Sequence, residues 1–170
     1  MFPNLSADIK RYGTFTPYHI FEQGIWALIV FRFGRWVDQF KVPILRLIPK
    51  FIAFILFKQI EILTGISVPA SAKIGKGFYI GHFGSIILHS DVQMGENCSI
   101  GPGVLIGTRG LGNLGVPKIG NNVYIGVGAK VLGDIKIGNN VKIGANAVVL
   151  QDVPDGATVV GIPARIIKQD

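Results

Sequence analysis

A chain of 170 residues holds one domain, or one domain with a smaller appendage. Its net charge of +7 is spread along the chain without a Lys/Arg run, and no nucleic-acid motif accompanies it, so nucleic acid is excluded as the expected partner. The charge fits solubility and attraction to anions: a nucleotide cofactor, an acidic glycan or an anionic membrane surface. A single Cys98 rules out an internal disulfide framework and suits a reducing compartment.

Composition splits the chain near residue 65. Three glycines precede it and twenty follow from Gly65 onward, whereas nine of the eleven Phe and both Trp lie before Lys58. The expected organisation is an apolar helical segment over 1–65 and a Gly-rich domain over 66–170. No basic stretch followed by an apolar run opens the chain between Met1 and Ser6, so no signal peptide is expected. Residues 18–40 read as a helix with Phe21, Ile25, Leu28, Ile29, Phe31 and Trp36 on a broad apolar face. Pro43 is expected to break the chain and Pro49 to start a second helix over 50–64. Thr64-Gly65 closes that helix, with Gly just past its end. The apolar runs 24–31 and 51–57 are far shorter than a membrane span. So many large apolar residues cannot all be satisfied within these helices. Other subunits are their expected partner, with a membrane interface as the rival because Trp26, Trp36 and interspersed Arg/Lys suit a headgroup layer.

From residue 68 an Ile/Val-type residue recurs every sixth position. Val68, Ile74, Ile80, Ile86, Val92, Cys98 and Val104 keep the step, and Ile119, Ile125, Val131, Ile137, Ile143 and Val149 resume it. A helix repeats near 3.6 residues and a half-buried strand at two, so six fits neither alone. It fits short strands joined by turns, three hexads to a triangular coil, which is a parallel β-helix. Each inward Ile or Val stabilises by roughly 1.5–3 kcal/mol on burial. Asn121-Asn122 and Asn139-Asn140 fall at equivalent turn positions that Asn tolerates. Period alone does not set the hand, and the general rule for parallel crossovers favours right-handed ones. Cys98 falls on an inward position, so its thiol is expected to be buried and inert. The step is expected to break once, between Val104 and Ile119, where the Gly-rich stretch 108–117 loops out.

The hexads, this loop and the closing stretch Val153-Pro154-Asp155-Gly156-Ala157-Thr158-Val159-Val160-Gly161-Ile162-Pro163-Ala164-Arg165 together resemble the hexapeptide-repeat acyltransferases. Within these the chain is most similar to serine acetyltransferases and the serine-acetyltransferase-like enzymes of polysaccharide gene clusters. The specific segments are 77–84, 125–133, 143–149 and 160–165. The resemblance implies a mainly β fold, a left-handed β-helix with a short N-terminal helical segment. It also implies homotrimers, with a larger assembly through the N-terminal helices as an extension. Acetyl-CoA as co-substrate is implied between neighbouring coils, near Gly128, Ala129, Ala145 and Asn146, with Lys130, Arg165 or Lys168 neutralising phosphates.

His82, in Gly81-His82-Phe83-Gly84-Ser85, takes the place of the family's catalytic His. A neutral imidazole near pH 7 is a suitable general base for a hydroxyl attacking a thioester. Tyr79, Phe83, His89 and Arg109 are candidate acceptor-site residues; Tyr79 and Phe83 have an equal reading as packing residues, and His89 one as a surface or edge residue. No metal is expected, because no His/Cys/Asp/Glu cluster has ligand spacing. In serine acetyltransferases an Asp orients the catalytic His, an Asp precedes it and contacts serine, and an Arg-His-Pro loop helps hold the carboxylate. The corresponding positions here are Ser67, Gly81 and Gly115-Val116-Pro117. A desolvated zwitterion needs charged partners. The expected acceptor is therefore a sugar or glycan hydroxyl. L-serine is the alternative, and a catalytically silent trimeric scaffold is the reading from another class. The expected location is cytoplasmic, at the inner face of the membrane if the N-terminal segment meets lipid.

Overall fold

The computed structural model describes residues 2–14, 16–110 and 112–169. Met1, Phe15, Leu111 and Asp170, which fall within stretches discussed above, lie outside them. The chain is a left-handed parallel β-helix, fronted among the described residues by three α-helices. Its hand departs from the general crossover rule, which was framed for helical connections rather than the tight corner turns found here.

Three sheets of five, four and six strands make the walls of the coil. The first stacks Ile66–Ser67, Ile86–Leu88, Leu105–Gly107, Lys130–Leu132 and Val148–Val149. The second runs through Lys73–Ile74, Gln93–Met94, Lys118–Ile119 and Lys136–Ile137. The third runs from Tyr79–Ile80 through Ser99–Ile100, Tyr124–Ile125 and Lys142–Ile143 to Ala157–Val160, and ends with Arg165–Gln169 added antiparallel. All thirteen residues of the sixfold step are buried.

The register corrects one expectation. Ile119 pairs with Ile137, eighteen residues on, as three hexads require. Ile74, however, pairs with Met94 and Ile80 with Ile100, each twenty residues on. Two extra residues therefore sit in the turn 81–85, and the coil breaks twice rather than once. After it, Met94, Ile100 and Ile106 take the wall positions, while Val92, Cys98 and Val104 move to the corners. The sequence hides this because each hexad has two inward positions and both accept apolar residues. The second break is the larger: Met94 pairs with Ile119 and Ile100 with Ile125, twenty-five residues on, which places seven extra residues in the loop before Pro117.

Corner side chains tie successive coils together. Asn121 Oδ1 accepts from the Glu96 N–H, Asn139 Oδ1 from the Asn121 N–H and Asp155 Oδ1 from the Asn139 N–H, each at 2.8 Å. Asn97, Asn122 and Asn140 take left-handed backbone conformations at these turns, as Asn146 does at the corner between the third and first sheets. Cys98 is buried as expected, and burial pushes its thiol up to about 11.

The helices are α1 (Phe2–Lys10), α2 (Gln23–Val37) and α3 (Pro43–Thr64), with a 3₁₀ turn at Pro17–Phe21. The expected helix over 18–40 is thus split at Glu22, and α1 was not foreseen. Pro43 starts α3 instead of breaking the chain, since its missing N–H is an orphan at the first helical position anyway. Pro49 lies inside α3 rather than at a start. It costs one backbone hydrogen bond in the second turn. Ala53 and Thr64 are buried and Ile60 packs against the core, so tertiary contacts hold the helix past that point. Gly65 ends the helix at φ +68° and donates to the Glu61 carbonyl. Gly24 of α2 is required by closeness: a Cβ there would lie 2.6 Å from the Ile80 carbonyl oxygen.

Candidate functional site

His82 stands exposed in the two-residue expansion between the third and first sheets. The turn is anchored at both ends. The Gly81 N–H donates to the Ile100 carbonyl at 3.0 Å, and the Gly84 N–H to the Thr64 carbonyl at 2.9 Å. From there a ladder of corner turns climbs one edge of the coil. Gly103 N–H donates to the Gly84 carbonyl, Gly128 N–H to the Pro102 carbonyl and Asn146 N–H to the Val127 carbonyl. The closing turn continues it, because Val148 N–H donates to the Gly161 carbonyl and Ala164 N–H to that of Val148. His82 therefore shares an edge with Gly128, Ala129, Ala145 and Asn146. At about 4.8 Å per coil, the 126–128 turn lies about 10 Å from the His82 turn.

Ala145 and Asn146 are exposed on this edge, whereas the Ala129 side chain is core, leaving only its backbone for a ligand. The N–H groups of Val127 and Ala145 have no acceptor among the described residues. An edge of small side chains and open amide donors suits an extended, amide-containing chain. Lys130 Nζ hydrogen-bonds the Gly103 carbonyl and so clamps two coils. Arg165 is exposed just past the closing turn, and its guanidinium donates to the Ala164 carbonyl at 3.2 Å. Lys168 lies further along the same terminal strand, opposite Thr158.

The acceptor candidates divide. Phe83 is exposed beside His82. Tyr79 is turned to the N-terminal helices: its ring lies 4.6 Å from that of Tyr12, with the Arg11 guanidinium 5.9 Å away. It packs there rather than flanking an open site. His89 and Arg109 sit at the opposite end of the first sheet, at a different corner from His82. His89 Nδ1 accepts from the Asp91 N–H, and Arg109 Nε donates to the Leu132 carbonyl at 3.4 Å. One subunit does not bring them to His82. Among the described residues no group of three or more His, Cys, Asp or Glu could hold a metal.

The three replaced positions have distinct surroundings. A Cβ on Gly81 would meet only ordinary contacts, 3.6 Å from the Ile100 oxygen and Tyr79 Cε1, so nothing steric forbids a side chain there. A Cβ on Gly115 would fall 2.4 Å from Asp134 Cβ, so this loop path admits only glycine. Val116 is partly buried against the core. Ser67 donates from Oγ to Glu61 Oε1 at 2.7 Å, and Glu61 also pairs with Lys58 at 2.6 Å. These hydrogen bonds, from Lys58 first and then Ser67, hold the Glu61 carboxyl below its usual range. A carboxylate thus stands one side chain behind Ser67, supplied from α3.

A support missed in the sequence lies beneath the site. Arg32 and Asp8 are both buried and paired at 2.7 Å. The Arg32 guanidinium also donates to the Ile74 and Gly75 carbonyls, and Asp8 Oδ1 accepts from the Phe78 N–H. Arg11 donates to the Gly77 carbonyl and to Ser99 Oγ, and Tyr12 Oη to the Ile80 carbonyl. Burial pushes the Tyr12 hydroxyl pKa up. α1 and α2 are therefore bolted to strands immediately preceding His82. Only the 74–80 carbonyl row, which any wall strand has, could have hinted at it.

The residues 117–151 match the family of bacterial transferase hexapeptide repeats (six repeats). The serine acetyltransferase of Helicobacter pylori is 38% identical over 148 residues, covering 86% of this chain and 82% of that protein. Those of Synechococcus elongatus and Staphylococcus aureus are 39% and 47% identical over 145 and 123 residues. The matches take in 85% and 71% of this chain but 57% and 58% of theirs, so the chain spans little more than half their length. Among solved structures, Brucella abortus serine acetyltransferase in complex with coenzyme A superposes with a TM-score of 0.83 at 28% identity, covering 98% of this chain and 67% of that one. The soybean serine acetyltransferase apoenzyme gives 0.83 at 31%, covering 97% and 68%. The fold and its edge of stacked turns define a hexapeptide-repeat transferase. The chain belongs to the serine acetyltransferase family.

Proposed function

We propose that the chain transfers an acetyl group from acetyl-CoA to an acceptor hydroxyl, with His82 as general base. The observation that carries this is the shared edge: His82 at its foot and the open amides of Val127 and Ala145 above it. The amides would receive the carbonyls of the pantetheine arm and lead its thioester down to the imidazole. His82 takes the hydroxyl proton as the oxygen attacks the thioester carbon. The tetrahedral intermediate then expels the CoA thiolate, which recovers the proton from the imidazolium. A homotrimer supplies the groove in which this edge faces a neighbour, and the loop 108–117 of that neighbour would close it.

L-serine is the acceptor that the relatives' names support. Glu61, behind Ser67, offers one negative charge near the position where the family carries Asp. A saccharide hydroxyl is the second reading, favoured by one observation: Gly81, Gly115 and Val116 carry no charge for a zwitterion. Thiol release from acetyl-CoA, measured with L-serine, nucleotide sugars and short oligosaccharides, tests both. We expect turnover with L-serine, and a kcat/KM for any saccharide above that for L-serine would move the assignment to the second reading. No thiol release with any acceptor and no CoA binding at millimolar ligand would leave a scaffold.

A further inference from the structure

We infer that the outer face of α3 docks on an anionic lipid surface. α3 is 22 residues long, about 33 Å, and only one side of it meets the rest of the chain. The inward row is Pro49, Ala53, Ile60 and Thr64. On the other side Ile44, Leu47, Ile48 and Phe51 are 78, 70, 71 and 65% exposed, and Phe54 and Ile55 continue the strip. Trp36, partly exposed and stacked edge-on against Phe40 at 4.6 Å, extends it onto the end of α2. An apolar face this long is not left to water without a partner.

Charge selects the partner. Residues 39–60 hold Lys41, Arg46, Lys50 and Lys58 and no Asp or Glu. Arg46, Lys50 and Lys58 fall on one i, i+4 row with Phe54, which crosses from the edge of the inward face at half-buried Arg46 into the apolar strip at Lys58. Of these, Lys50 is bridged loosely to Asp38 at 3.8 Å and Lys58 to Glu61 at 2.6 Å, and both lysine side chains stay about half exposed. A second copy of the chain laid on this face would bring two sets of these cations together, with only Asp38 and Glu61, each already paired, beside them. Lipid phosphates meet them, while the Ile, Leu and Phe side chains enter the acyl boundary. No helix among the described residues is long and apolar enough to cross a membrane, so α3 would lie in the interface rather than span it. The inference does not rest on the reaction proposed above.

Vesicle flotation of the full chain tests it, with phosphatidylglycerol–phosphatidylcholine vesicles against pure phosphatidylcholine. The expected result is flotation on the anionic vesicles, at least about tenfold weaker on neutral ones and weakened by salt. Ile48→Ser with Phe51→Ser should abolish it, and Lys41→Glu with Lys50→Glu should weaken it about tenfold. All four positions are exposed, so circular dichroism and thiol release should be unchanged. No flotation of the unmodified chain, or flotation indifferent to both variants, would overturn the inference. So would a larger assembly that fails to float and splits into smaller units in Ile48→Ser/Phe51→Ser, which would assign the face to a second copy.

Discussion

The Arg32 guanidinium grips both oxygens of Asp8, at 2.7 and 3.0 Å, with neither residue reaching solvent. The pair joins α1 to α2 and, through the Ile74 and Gly75 carbonyls and the Phe78 N–H, fixes both to the coil below His82. Removing one partner leaves an uncompensated buried charge. Arg32→Ala should destabilise the fold by about 3–5 kcal/mol, read from denaturant midpoints. Asp8→Asn keeps the shape but leaves the Arg32 charge buried without its counter-ion, so it should cost a similar amount.

His82→Ala should lower acetyl transfer by about 10²–10⁴-fold. His82 is exposed and its turn is held by backbone hydrogen bonds, so melting temperature and CoA affinity should not move. Near-normal turnover by a folded His82→Ala protein would remove His82 from the mechanism.

Gly81→Asp restores a carboxylate where the surrounding space allows it. If the site holds a zwitterion, kcat/KM for L-serine should rise about tenfold or more, with any saccharide activity unimproved. Gly115→Arg should fail differently, by destabilising the loop, because its Cβ would run into Asp134. Steady-state kinetics and thermal melts on the two variants separate these outcomes.

Acid should loosen the corner ladder. Asp155 is held below the ordinary carboxylate range, first by the Asn139 N–H and then by the Asn139 side chain, and Glu61 by Lys58 and Ser67. Carboxyls with lowered folded-state pKa stabilise above their unfolded values, and that contribution is lost as pH falls through the folded ones. Stability should therefore drop below about pH 4. Asp155→Ala should flatten that dependence, as read from melting temperature against pH.

The coil was legible in the sequence because its repeat is local. Ile119, Ile125, Val131, Ile137, Ile143 and Val149 are all buried where a step of six puts them. The register between residues 81 and 106 was not, because Val92 and Met94, or Cys98 and Ile100, are equally apolar, and both members of each pair are buried. His82 is singled out by the motif around it, and the structure sets it exposed at its turn. That His89 and Arg109 belong to another corner depends on which strand ends stack, and no spacing in the chain states this. Tyr79 reads in the sequence as a neighbour of His82, but the turn after α1 supplies the Tyr12 ring that packs against it.

By itself, the sequence determined a solenoid of short strands, a Gly-rich loop in it, a helical apolar front and one imidazole at a turn. Each follows from near neighbours: a residue every sixth place, a proline or glycine at an end, a histidine between glycines. Only the tertiary structure decided that the turns at 84, 103, 128 and 146 form one edge, since that alignment is the outcome of coils of twenty, twenty-five and eighteen residues closing in register. It also decided that Asp8 and Arg32 are buried while Ile48 and Phe51 are not. Hydropathy alone orders these four residues the other way. A charge can be buried when its partner and hydrogen bonds arrive from other elements, and an apolar face stays open when none of them covers it.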